Sequence, residues 1–374
     1  MNSLLVIAGE DSGDMHAAAA VRALKARRPD IHVWGIGGDH LRAAGAELLH
    51  TTHEMDVMGF VEVAKRYPFF KRVLNEIIGE AEARKPAAAL LVDYPGFNLR
   101  LADELHRRGV KILYYVCPQV WAWKRGRIPK MAKVIDRLMV IFPFEVDVFK
   151  DVDLNVEFVG HPIVDEIKTF RSAPPASLPW QTEKKVALLP GSRRQEILHI
   201  LPALLKTAKL LEEKHSDVSF LIPVPSRHLE LVCGILKNGK SAPQNIEIVE
   251  GQSREIMKQA DAAFVASGTA TLEAALLRCP TILVYRMSPL NFMLARLLIQ
   301  IRWIGIANII SGREIMPERI QKINPAELCA AIEPLIYDTP ERRAMLNDFD
   351  ALEKLLGTGN PAEKIATIID SEIH

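Results

Sequence analysis

The sequence has few cysteines, unlike disulfide-rich secreted proteins. It also has no apolar run long enough to mark a membrane-spanning helix. Its four cysteines among 374 residues form no Cys-x-x-Cys pair, which argues against a zinc or disulfide framework and fits a reducing compartment. No uninterrupted apolar stretch reaches the roughly 20 residues that span a bilayer. The amino terminus lacks a basic segment ahead of its first apolar run, so we expect no signal peptide and a cytoplasmic protein.

The sequence also lacks a large excess of positive or negative charge. In addition, it lacks the sequence motifs of three common enzyme classes. With 47 Lys and Arg against 46 Asp and Glu the net charge is +1, so we expect no global attraction to nucleic acid. There is no His-Glu-x-x-His, Gly-x-Ser-x-Gly or Gly-x-x-x-x-Gly-Lys-Ser pattern, which argues against zinc proteases, α/β-hydrolases and P-loop enzymes. Asp151 and Asp153 match a short metal-binding pattern of some sugar transferases, but no long strand precedes them. We therefore expect no metal site.

What the sequence does contain is an alternation of apolar strand patterns and helical patterns, which is typical of parallel α/β sheets. A chain of 374 residues exceeds the usual size of a single core, so two domains are expected. A proline-rich segment from Arg171 to Lys185 interrupts the alternation and predicts an interdomain linker. We predict a first domain of residues 1–170 and a second domain of residues 171–344.

Two loops in the second half have the composition of phosphate sites. Each follows a strand pattern and precedes a helix pattern, and small residues there admit backbone N–H groups close to an anion that the helix dipole also favours. The loops contain Gly191, Ser192 and Arg193, and Ser267, Gly268, Thr269, Ala270 and Thr271. A capped helix start without a ligand is the alternative for the second loop.

The first half carries carboxylates and a histidine at strand ends instead. Residues 87–92 form a continuous apolar strand pattern that delivers Asp93 to the edge where open α/β sheets bind ligands. The loop and helix start after the first strand contain Glu10, Asp11, Asp14 and His16. Three acids suit a phosphate poorly, so we interpret these side chains as candidate general bases. A simple turn cap is the alternative for Asp93.

Two segments, residues 54–72 and 290–306, mix apolar, aromatic and basic side chains. Residues 54–72 could lie in a membrane interface, but the pattern alone favours an ordinary amphipathic helix packed on the sheet. Residues 290–306 could bury an acyl chain, contact lipid or pack as a core helix, and the pattern alone does not choose between these. Trp121 and Trp123 lie beside three cations. They could stack on a nucleobase, contact lipid or pack beneath a loop.

A series of short motifs spans the chain from about residue 8 to residue 318. The motifs are Gly9-Glu10-x-Ser12-Gly13-Asp14-x-His16, Asp93-x-Pro95-x-Phe97-Asn98, Pro118-Gln119-Val120-Trp121-Ala122-Trp123, Pro143-Phe144-Glu145, Phe158-Val159-Gly160-His161-Pro162, Leu189-Pro190-Gly191-Ser192-Arg193, Ser267-Gly268-Thr269-Ala270-Thr271-Leu272-Glu273, and Asn308 with Gly312-Arg313-Glu314 and Pro317-Glu318. Their residues and order resemble those of the lipid-A-disaccharide synthases, glycosyltransferase family 19. Asp11, Ala17 and Ala307 depart from the family pattern, which has a small residue, a glycine and a proline there.

The resemblance implies a fold and a reaction. The fold is GT-B, two Rossmann-like α/β domains facing an interdomain cleft, with a carboxyl-terminal helix at about residues 345–374 packing back on the first domain. The reaction is transfer of 2,3-diacylglucosamine from UDP-2,3-diacylglucosamine to 2,3-diacylglucosamine 1-phosphate (lipid X). Inversion at the anomeric carbon would give the β-1,6 lipid A disaccharide 1-phosphate and UDP.

The resemblance also implies surroundings and partners. The UDP-sugar is a substrate, so no cofactor and no metal are expected. Acylated substrates favour a cytoplasmic protein in peripheral contact with the inner membrane of a Gram-negative bacterium, with residues 54–72 as the favoured membrane contact. The oligomeric state stays open.

The resemblance finally implies a role for each site residue. Asp93 is the expected general base, with His16 as the second candidate. Arg193 and the loop of residues 267–271 would hold the diphosphate, Glu273 the ribose, and Asn308 another part of the nucleotide. A UDP-sugar 2-epimerase of the same fold and a non-catalytic UDP- or lipid-binding module are the alternatives. The first predicts formation of an epimer, and the second predicts binding without turnover.

Overall fold

The computed structural model describes residues 3–56, 66–123, 125–239, 242–288, 292–293, 301–357 and 359–373. The chain forms two compact units, Met1–Pro162 with Leu356–His374, and Ile163–Leu355. Each unit contains one parallel sheet with helices around it, and each is described below by itself.

The first unit is built on a seven-stranded parallel sheet in the order β3-β2-β1-β4-β5-β6-β7. Its strands are β1 (Ser3–Ala8), β2 (His32–Gly37), β3 (Glu47–Thr51), β4 (Ala88–Val92), β5 (Lys111–Tyr115), β6 (Arg137–Val140) and β7 (Asn155–Phe158). Its helices are Asp11–Arg27, Asp39–Ala43, Thr52–Met55, Tyr67–Arg84, Pro95–His106, Val120–Trp123, Ile128–Val134, Glu145–Val148 and Pro361–Glu372, with a 3₁₀ turn at Arg125–Arg127.

The central strands of this sheet are apolar throughout because both of their faces are covered. Successive side chains of a strand point to opposite faces, so Leu5 and Ile7 enter one core while Leu4 and Val6 enter the other. All four side chains are fully buried or nearly so, and each contributes about 2 kcal/mol of hydrophobic stabilisation. Burial on both faces is the usual arrangement of a parallel sheet between two helix layers.

The second unit repeats this plan with a six-stranded parallel sheet in the order β10-β9-β8-β11-β12-β13. Its strands are β8 (Lys184–Leu189), β9 (Val218–Val224), β10 (Ile246–Glu250), β11 (Ala262–Ala266), β12 (Thr281–Tyr285) and β13 (Glu318–Ile320). Its helices are Ile163–Ser172, Arg194–Lys214, Leu229–Asn238, Ser253–Gln259, Thr269–Leu276, Ile306–Ser311, Pro325–Ile336 and Pro340–Leu355, with a 3₁₀ turn at Ser226–His228.

Both sheets reverse their strand order at one point. In the first unit the reversal lies between β1 and β4, where Ala8 pairs with Val92. In the second unit it lies between β8 and β11, where Leu189 pairs with Val265. Loops on the two sides of such a reversal diverge and open a crevice at the carboxyl ends of the strands. The candidate loops of the sequence lie at these two reversals.

The predicted linker is not a linker. The helix Ile163–Ser172 already belongs to the second unit, so the predicted boundary at residues 170 and 171 falls inside a helix. The proline-rich segment after it lies on the same unit, because the Ala176 N–H donates to Glu255 Oε1 at 2.9 Å and Trp180 Nε1 donates to Gln259 Oε1 at 3.2 Å. The chain passes between the units at residues 162 and 163 instead.

The predicted carboxyl-terminal helix of residues 345–374 is two helices. Pro340–Leu355 stays with the second unit and buries Met345 and Phe349 there. Pro361–Glu372 packs on the first unit, where Glu372 pairs with Lys111 at 2.8 Å and Arg137 at 2.7 Å. Of the range that the resemblance implied, residues 345–355 therefore belong to the second unit and only the part from Leu356 belongs to the first.

Of the two apolar and basic segments, residues 57–65 and most of 290–300 lie outside the described residues. The described helix Tyr67–Arg84 buries Val73, Ile77, Ile78 and Ala81, whereas Tyr67 at its start is 51% exposed. Among the helices that the structure describes, none combines the length and the apolar character needed to cross a membrane.

Candidate active site

Asp93 and Tyr94 lie in an unfavourable backbone conformation at the carboxyl end of β4. Their φ angles are +46° and +47°, and Val116, directly after β5, has φ +66°. A non-glycine residue in the left-handed region costs about 1–3 kcal/mol and persists only where its surroundings impose it. Three such residues at the ends of adjacent strands make this edge of the sheet a candidate functional site.

The neighbouring strand and helix impose the conformation of Asp93. Its N–H donates to the Tyr115 carbonyl at 2.9 Å. Its own carbonyl accepts from the Tyr114 hydroxyl at 2.6 Å and from Asn98 Nδ2 at 2.8 Å. Tyr114 and Asn98 thus hold the main chain and leave the half-buried carboxyl group at the crevice.

The surroundings of Asp93 change its acidity. Burial, and then the negative charge of Glu10, raise the pKa of Asp93 to about 6. A carboxylate with this pKa is ionised at neutral pH, yet it binds a proton more strongly than an ordinary aspartate does. These are the properties that a general base acting near neutral pH needs.

Gly9 leaves room for the residue after Asp93. A Cβ atom on Gly9 would lie 2.6 Å from the Tyr94 ring, closer than side-chain atoms approach. The Tyr94 hydroxyl donates to the Met55 carbonyl at 2.9 Å. The first glycine of the sequence motif is therefore explained by the packing of Tyr94 against the β1 loop.

Two histidines lie close to the same edge. His16 is half-buried and meets the Tyr115 ring edge to face at 6.4 Å between ring centroids. Burial, and then the nearby His16, lower the pKa of His161 to about 3. His161 is therefore neutral at physiological pH. The sequence motifs contained His161 without assigning it a role.

Asp14, a candidate base from the sequence, has a structural role. Its buried carboxylate accepts hydrogen bonds from the N–H groups of Gly38, His40 and Leu41 at 2.7, 3.0 and 3.1 Å. It caps the helix Asp39–Ala43 from a distant part of the chain, which no local pattern in the sequence could show.

Glu145 is a buried acid beside this edge, and the sequence analysis did not single it out as a site residue. Its carboxyl group accepts from Trp121 Nε1 at 3.2 Å and from the Phe142 N–H at 3.1 Å. Burial raises the pKa of Glu145 to about 8, so it is mostly protonated at neutral pH. The Trp121 ring packs edge-on against the Phe144 ring, with 5.1 Å between the ring centroids. Of its three predicted roles, Trp121 therefore has the one of packing beneath a loop.

An apolar groove of about 610 Å³ adjoins Tyr94 in the first unit. Its walls carry Tyr67, Phe70, Leu74, Tyr94 and Phe97, with Lys71, Arg100 and Glu104 as its charged residues. Aromatic and aliphatic walls with a few charges suit an amphiphilic ligand.

The second unit has a cavity of about 510 Å³ at its own strand-order reversal. The predicted loop residues in its lining are Gly191, Ser192, Arg193, Ser267, Gly268, Thr269 and Ala270. The helices Arg194–Lys214 and Thr269–Leu276 both begin at this cavity. Two helix amino ends around one cavity favour a bound anion.

Gly191 is required by its geometry. Its φ is +106°, and a Cβ atom there would lie 2.4 Å from Glu196 Oε2 and 2.8 Å from Glu196 Cβ. The Glu196 carboxylate in turn accepts from the Arg193 N–H at 3.2 Å and from Arg193 Nη1 at 3.2 Å. The loop thus closes on the start of the following helix and presents its small residues to the cavity.

Thr271 and Glu273, two of the predicted nucleotide-binding residues, form contacts with other residues of the protein. Thr271 is fully buried, and its hydroxyl donates to the Gly268 carbonyl at 2.8 Å. Glu273 forms an ion pair with Arg254 at 2.7 Å. Neither residue is part of the cavity lining. Thr271 holds the start of the helix and Glu273 holds Arg254, and their contacts with a nucleotide stay predictions.

The side chain of Asn308 also forms its hydrogen bonds within the protein. Its Oδ1 accepts from the N–H groups of Ile315 and Met316 at 2.8 and 2.9 Å. Its Nδ2 donates to the Met316 carbonyl at 2.8 Å and to Glu318 Oε1 at 2.9 Å. A side-chain amide has two donors and one acceptor oxygen with two lone pairs, so these four hydrogen bonds use its full capacity in this structure. Asn308 thus holds the segment of residues 315–318, and its contact with a nucleotide stays a prediction.

The remaining lining of this cavity was absent from the sequence analysis. It includes Glu196, the segment of residues 223–225, Gly251 and Ser253. Residues 225, 251 and 253 follow β9 and β10, whose carboxyl ends lie at the same edge of the sheet. Applying the strand-end rule to every strand, and not only to those followed by glycine-rich loops, would have found them.

Metal ligands were not expected, and Asp151 and Asp153 lie in the turn before β7. Within the described ranges, no group of three or more His, Cys, Asp and Glu side chains is arranged to hold a metal ion.

Comparison with known proteins identifies the family of this chain. A family model described as lipid-A-disaccharide synthetase matches residues 4–355. The lipid-A-disaccharide synthase of Syntrophus aciditrophicus (strain SB) is 37% identical over 374 residues, which cover 98% of this chain and 97% of that protein. That of Myxococcus xanthus (strain DK1622) is 37% identical over 371 residues, covering 97% and 95%.

Solved structures resemble the whole chain at low identity. A co-structure of S. aureus MnaA with UDP has a TM-score of 0.66 at 14% identity, covering 99% of this chain and 96% of that one. The glycotransferase of kitacinnamycin has a TM-score of 0.63 at 16% identity, covering 99% and 98%. Together with the two parallel-sheet units, these likenesses confirm the predicted GT-B fold.

Proposed function

We propose a specific reaction for this chain, which belongs to the lipid-A-disaccharide synthase family of glycosyltransferases. It transfers 2,3-diacylglucosamine from UDP-2,3-diacylglucosamine to the 6-hydroxyl of 2,3-diacylglucosamine 1-phosphate. The products are the β-1,6-linked disaccharide 1-phosphate and UDP. The observation that carries the catalytic part is Asp93, a half-buried carboxylate with a raised pKa, held in a strained backbone where the strand order reverses.

The second unit binds the UDP-sugar in this proposal. Its cavity of about 510 Å³ suits a nucleotide in size. The helix amino ends at residues 194 and 269 supply N–H groups and a positive dipole to the diphosphate. Charge that develops on the leaving group is stabilised by the same groups, so the cavity favours departure of UDP as well as binding.

Asp93 of the first unit activates the acceptor. Its carboxylate takes the proton of the 6-hydroxyl while the oxygen forms a bond to the anomeric carbon of the donor. The bond from that carbon to the diphosphate oxygen breaks at the same time, and both of its electrons leave with UDP. A single displacement on an α-linked donor gives a β-linked product, so the reaction inverts the anomeric configuration.

His16 remains the second candidate for the base. Two observations favour Asp93. The main chain of Asp93 is fixed by Tyr114 and Asn98, and the pKa of its carboxyl group is raised to about 6. His16 stands beside Tyr115, where it suits a role in orienting the acceptor.

We propose that the apolar groove beside Tyr94 binds an acyl chain of the acceptor. Substrates with acyl chains reside in a lipid surface, so a protein that uses them must contact the membrane surface. We therefore assign the chain a peripheral contact with the inner membrane.

The reaction is tested by supplying the substrates separately. The purified chain is incubated in neutral detergent with UDP-2,3-diacylglucosamine alone, and then with both acylated sugars. The proposal predicts UDP release and disaccharide only when both are present. A 2-epimerase would convert the donor without an acceptor, and a binding module would bind UDP without any turnover. Either of these results would refute the proposed reaction.

A further inference from the structure

A second, smaller cavity of about 210 Å³ lies in the first unit beside the start of the helix Pro95–His106. Its lining combines Arg100, Arg127 and Lys130 with apolar Leu99, Met131 and Val134. Two segments contribute the cations. Arg100 comes from the helix after β4, whereas Arg127 and Lys130 come from the region 125–134 after β5.

These three cations form no ion pair with an acid anywhere in the described ranges. Two arginines directly after the end of the same helix behave differently. Arg107 pairs with Asp103 and with Glu104 at 3.1 Å, and Arg108 pairs with Glu82 at 2.7 Å. Three like charges around a small cavity repel one another unless an anion occupies it. The charge pattern thus points to an anionic ligand.

The helix start adds to this preference. The helix Pro95–His106 has no acid in its first turn and no side-chain cap at Tyr94. Its first turn therefore adds no negative charge of its own, and the helix dipole there favours an anion. A Cβ atom on Gly96, which lines the cavity, would meet nothing within 4 Å, so a ligand has room to approach the main chain there.

The position of the cavity relates it to the reaction. It shares Gly96 and Arg100 with the apolar groove, and the helix that forms both begins directly after Asp93 and Tyr94. Arg127 also acts on Tyr114, since its charge opposes the burial that raises the pKa of that tyrosine. The Tyr114 hydroxyl holds the Asp93 carbonyl. An anion bound by Arg127 thus lies near the group that positions the base.

We propose that Arg100, Arg127 and Lys130 bind the phosphate monoester of the lipid acceptor, while its acyl chain enters the adjoining groove. This assignment rests on the proposed function and names the acceptor site for it. A phosphate in this cavity anchors one end of the acceptor, so the pyranose ring is presented to Asp93 in one orientation. The cavity thereby selects an acylated sugar that carries a phosphate over the same sugar without one.

The test compares two acceptors, 2,3-diacylglucosamine with and without the 1-phosphate. Variants Arg127→Ala and Lys130→Ala are assayed with UDP-2,3-diacylglucosamine in neutral detergent. The control is Lys133→Ala, because Lys133 is exposed on the same helix as Lys130 but does not line the cavity. We expect the KM for the phosphorylated acceptor to rise about ten- to hundredfold in each variant, as loss of a charge-assisted hydrogen bond implies.

For the acceptor without phosphate, the variants should match the wild type, and Lys133→Ala should match it for both acceptors. Binding of the phosphorylated acceptor without donor, measured by calorimetry in the same detergent, should weaken by the same factor. That readout does not need turnover. If the lipid binds and the variants weaken it while no disaccharide forms, the inference stands and the proposed function fails.

Three outcomes would overturn the inference. Disaccharide formation with the same preference for the phosphorylated acceptor in wild type and variants would leave the function intact and remove this site. Equal affinity of the wild type for the two acceptors would remove it as well. Vesicles of phosphatidylcholine with and without phosphatidic acid give the third arm. Loss of binding to the acidic vesicles with an unchanged acceptor preference would assign the cations to a membrane headgroup instead.

Discussion

Asp93 combines a left-handed backbone with a carboxyl group whose protonation is shifted towards neutral pH. The two properties have one origin, since the turn that strains the main chain also places the carboxyl group against the buried end of the sheet. Glu10 adds to the shift from the neighbouring loop. The sequence located Asp93 through its strand, but its acidity depends on burial and on a charge from elsewhere in the chain.

The pH dependence of the reaction should report this carboxyl group. A base must be ionised to act, so we expect kcat/KM to fall as the pH drops through about 6, the pKa of Asp93. Glu10→Gln removes a negative charge that raises this pKa, and the acid limb should move to lower pH. The matched control is Asp11→Asn, whose side chain is exposed and is not among the causes of the shift. An acid limb that does not move in Glu10→Gln would contradict this explanation.

We expect Glu145 to make the free energy of unfolding depend on pH. Its pKa is raised by burial from 4.5 to about 8, so the folded state keeps a proton that the unfolded state loses above pH 4.5. The free energy of unfolding must therefore fall as the pH rises through this window. Relative to Glu145→Gln, which stays neutral, the wild type should lose on the order of a few kcal/mol between pH 5 and 8.

Urea unfolding at several pH values measures this difference. Glu157→Gln is the control, because Glu157 is exposed on β7 of the same unit, and its stability should parallel that of the wild type at every pH. Parallel curves for Glu145→Gln as well would show that the buried carboxyl group does not hold its proton.

Asn308 shows the limit of motif reasoning at the residue scale. A motif shows that a polar residue is needed at a position, but it does not show what the side chain contacts. Because its hydrogen bonds go to residues 315, 316 and 318, which follow it in the chain, Asn308→Ala should lower the free energy of unfolding by about 3 kcal/mol. Chemical denaturation checks this. Unchanged stability together with weakened UDP binding would support the nucleotide contact predicted from the sequence.

At the scale of the elements, strand–loop–helix units were predictable because local patterns specify them. Apolar runs such as Ala88–Val92 and Ala262–Ala266 are strands, and the site loops follow them directly, with Asp93 after the first and Ser267 and Gly268 after the second. Contacts between distant elements were not predictable. The ion pair of Glu273 with Arg254 and the assignment of Pro340–Leu355 to the second unit depend on packing that no local pattern encodes.

The loop after β8 carries a prediction at this scale. Gly191→Ala places a Cβ atom in a left-handed conformation and against Glu196, so the loop must shift away from the cavity. We expect UDP to bind roughly tenfold or more weakly. Gly234→Ala is the control, because Gly234 lies in the helix Leu229–Asn238 with open space around it. Calorimetric titration with UDP compares the two, and equal affinities would show that this loop does not hold the nucleotide.

For the whole molecule, two sheets of the same design have specialised at their strand-order reversals. The first unit presents acids, histidines and an apolar groove, and the second presents glycine-rich loops and helix amino ends. This division matches the transfer between a hydroxyl group and a nucleotide diphosphate that we propose. The alternation of strands and helices predicted both sheets, whereas the passage between the units at residues 162 and 163 was obscured by the proline-rich segment nearby.

The most direct test of the account is the formation of disaccharide by the wild type and by Asp93→Asn, with both acylated sugars present and UDP binding measured in parallel. The account predicts one UDP per β-1,6-linked disaccharide for the wild type. For Asp93→Asn we expect a rate about 100- to 10,000-fold lower, with UDP affinity unchanged because the cavity that we propose for UDP lies in the other unit. An undiminished rate in Asp93→Asn, or no disaccharide from folded wild-type protein that binds UDP, would contradict it.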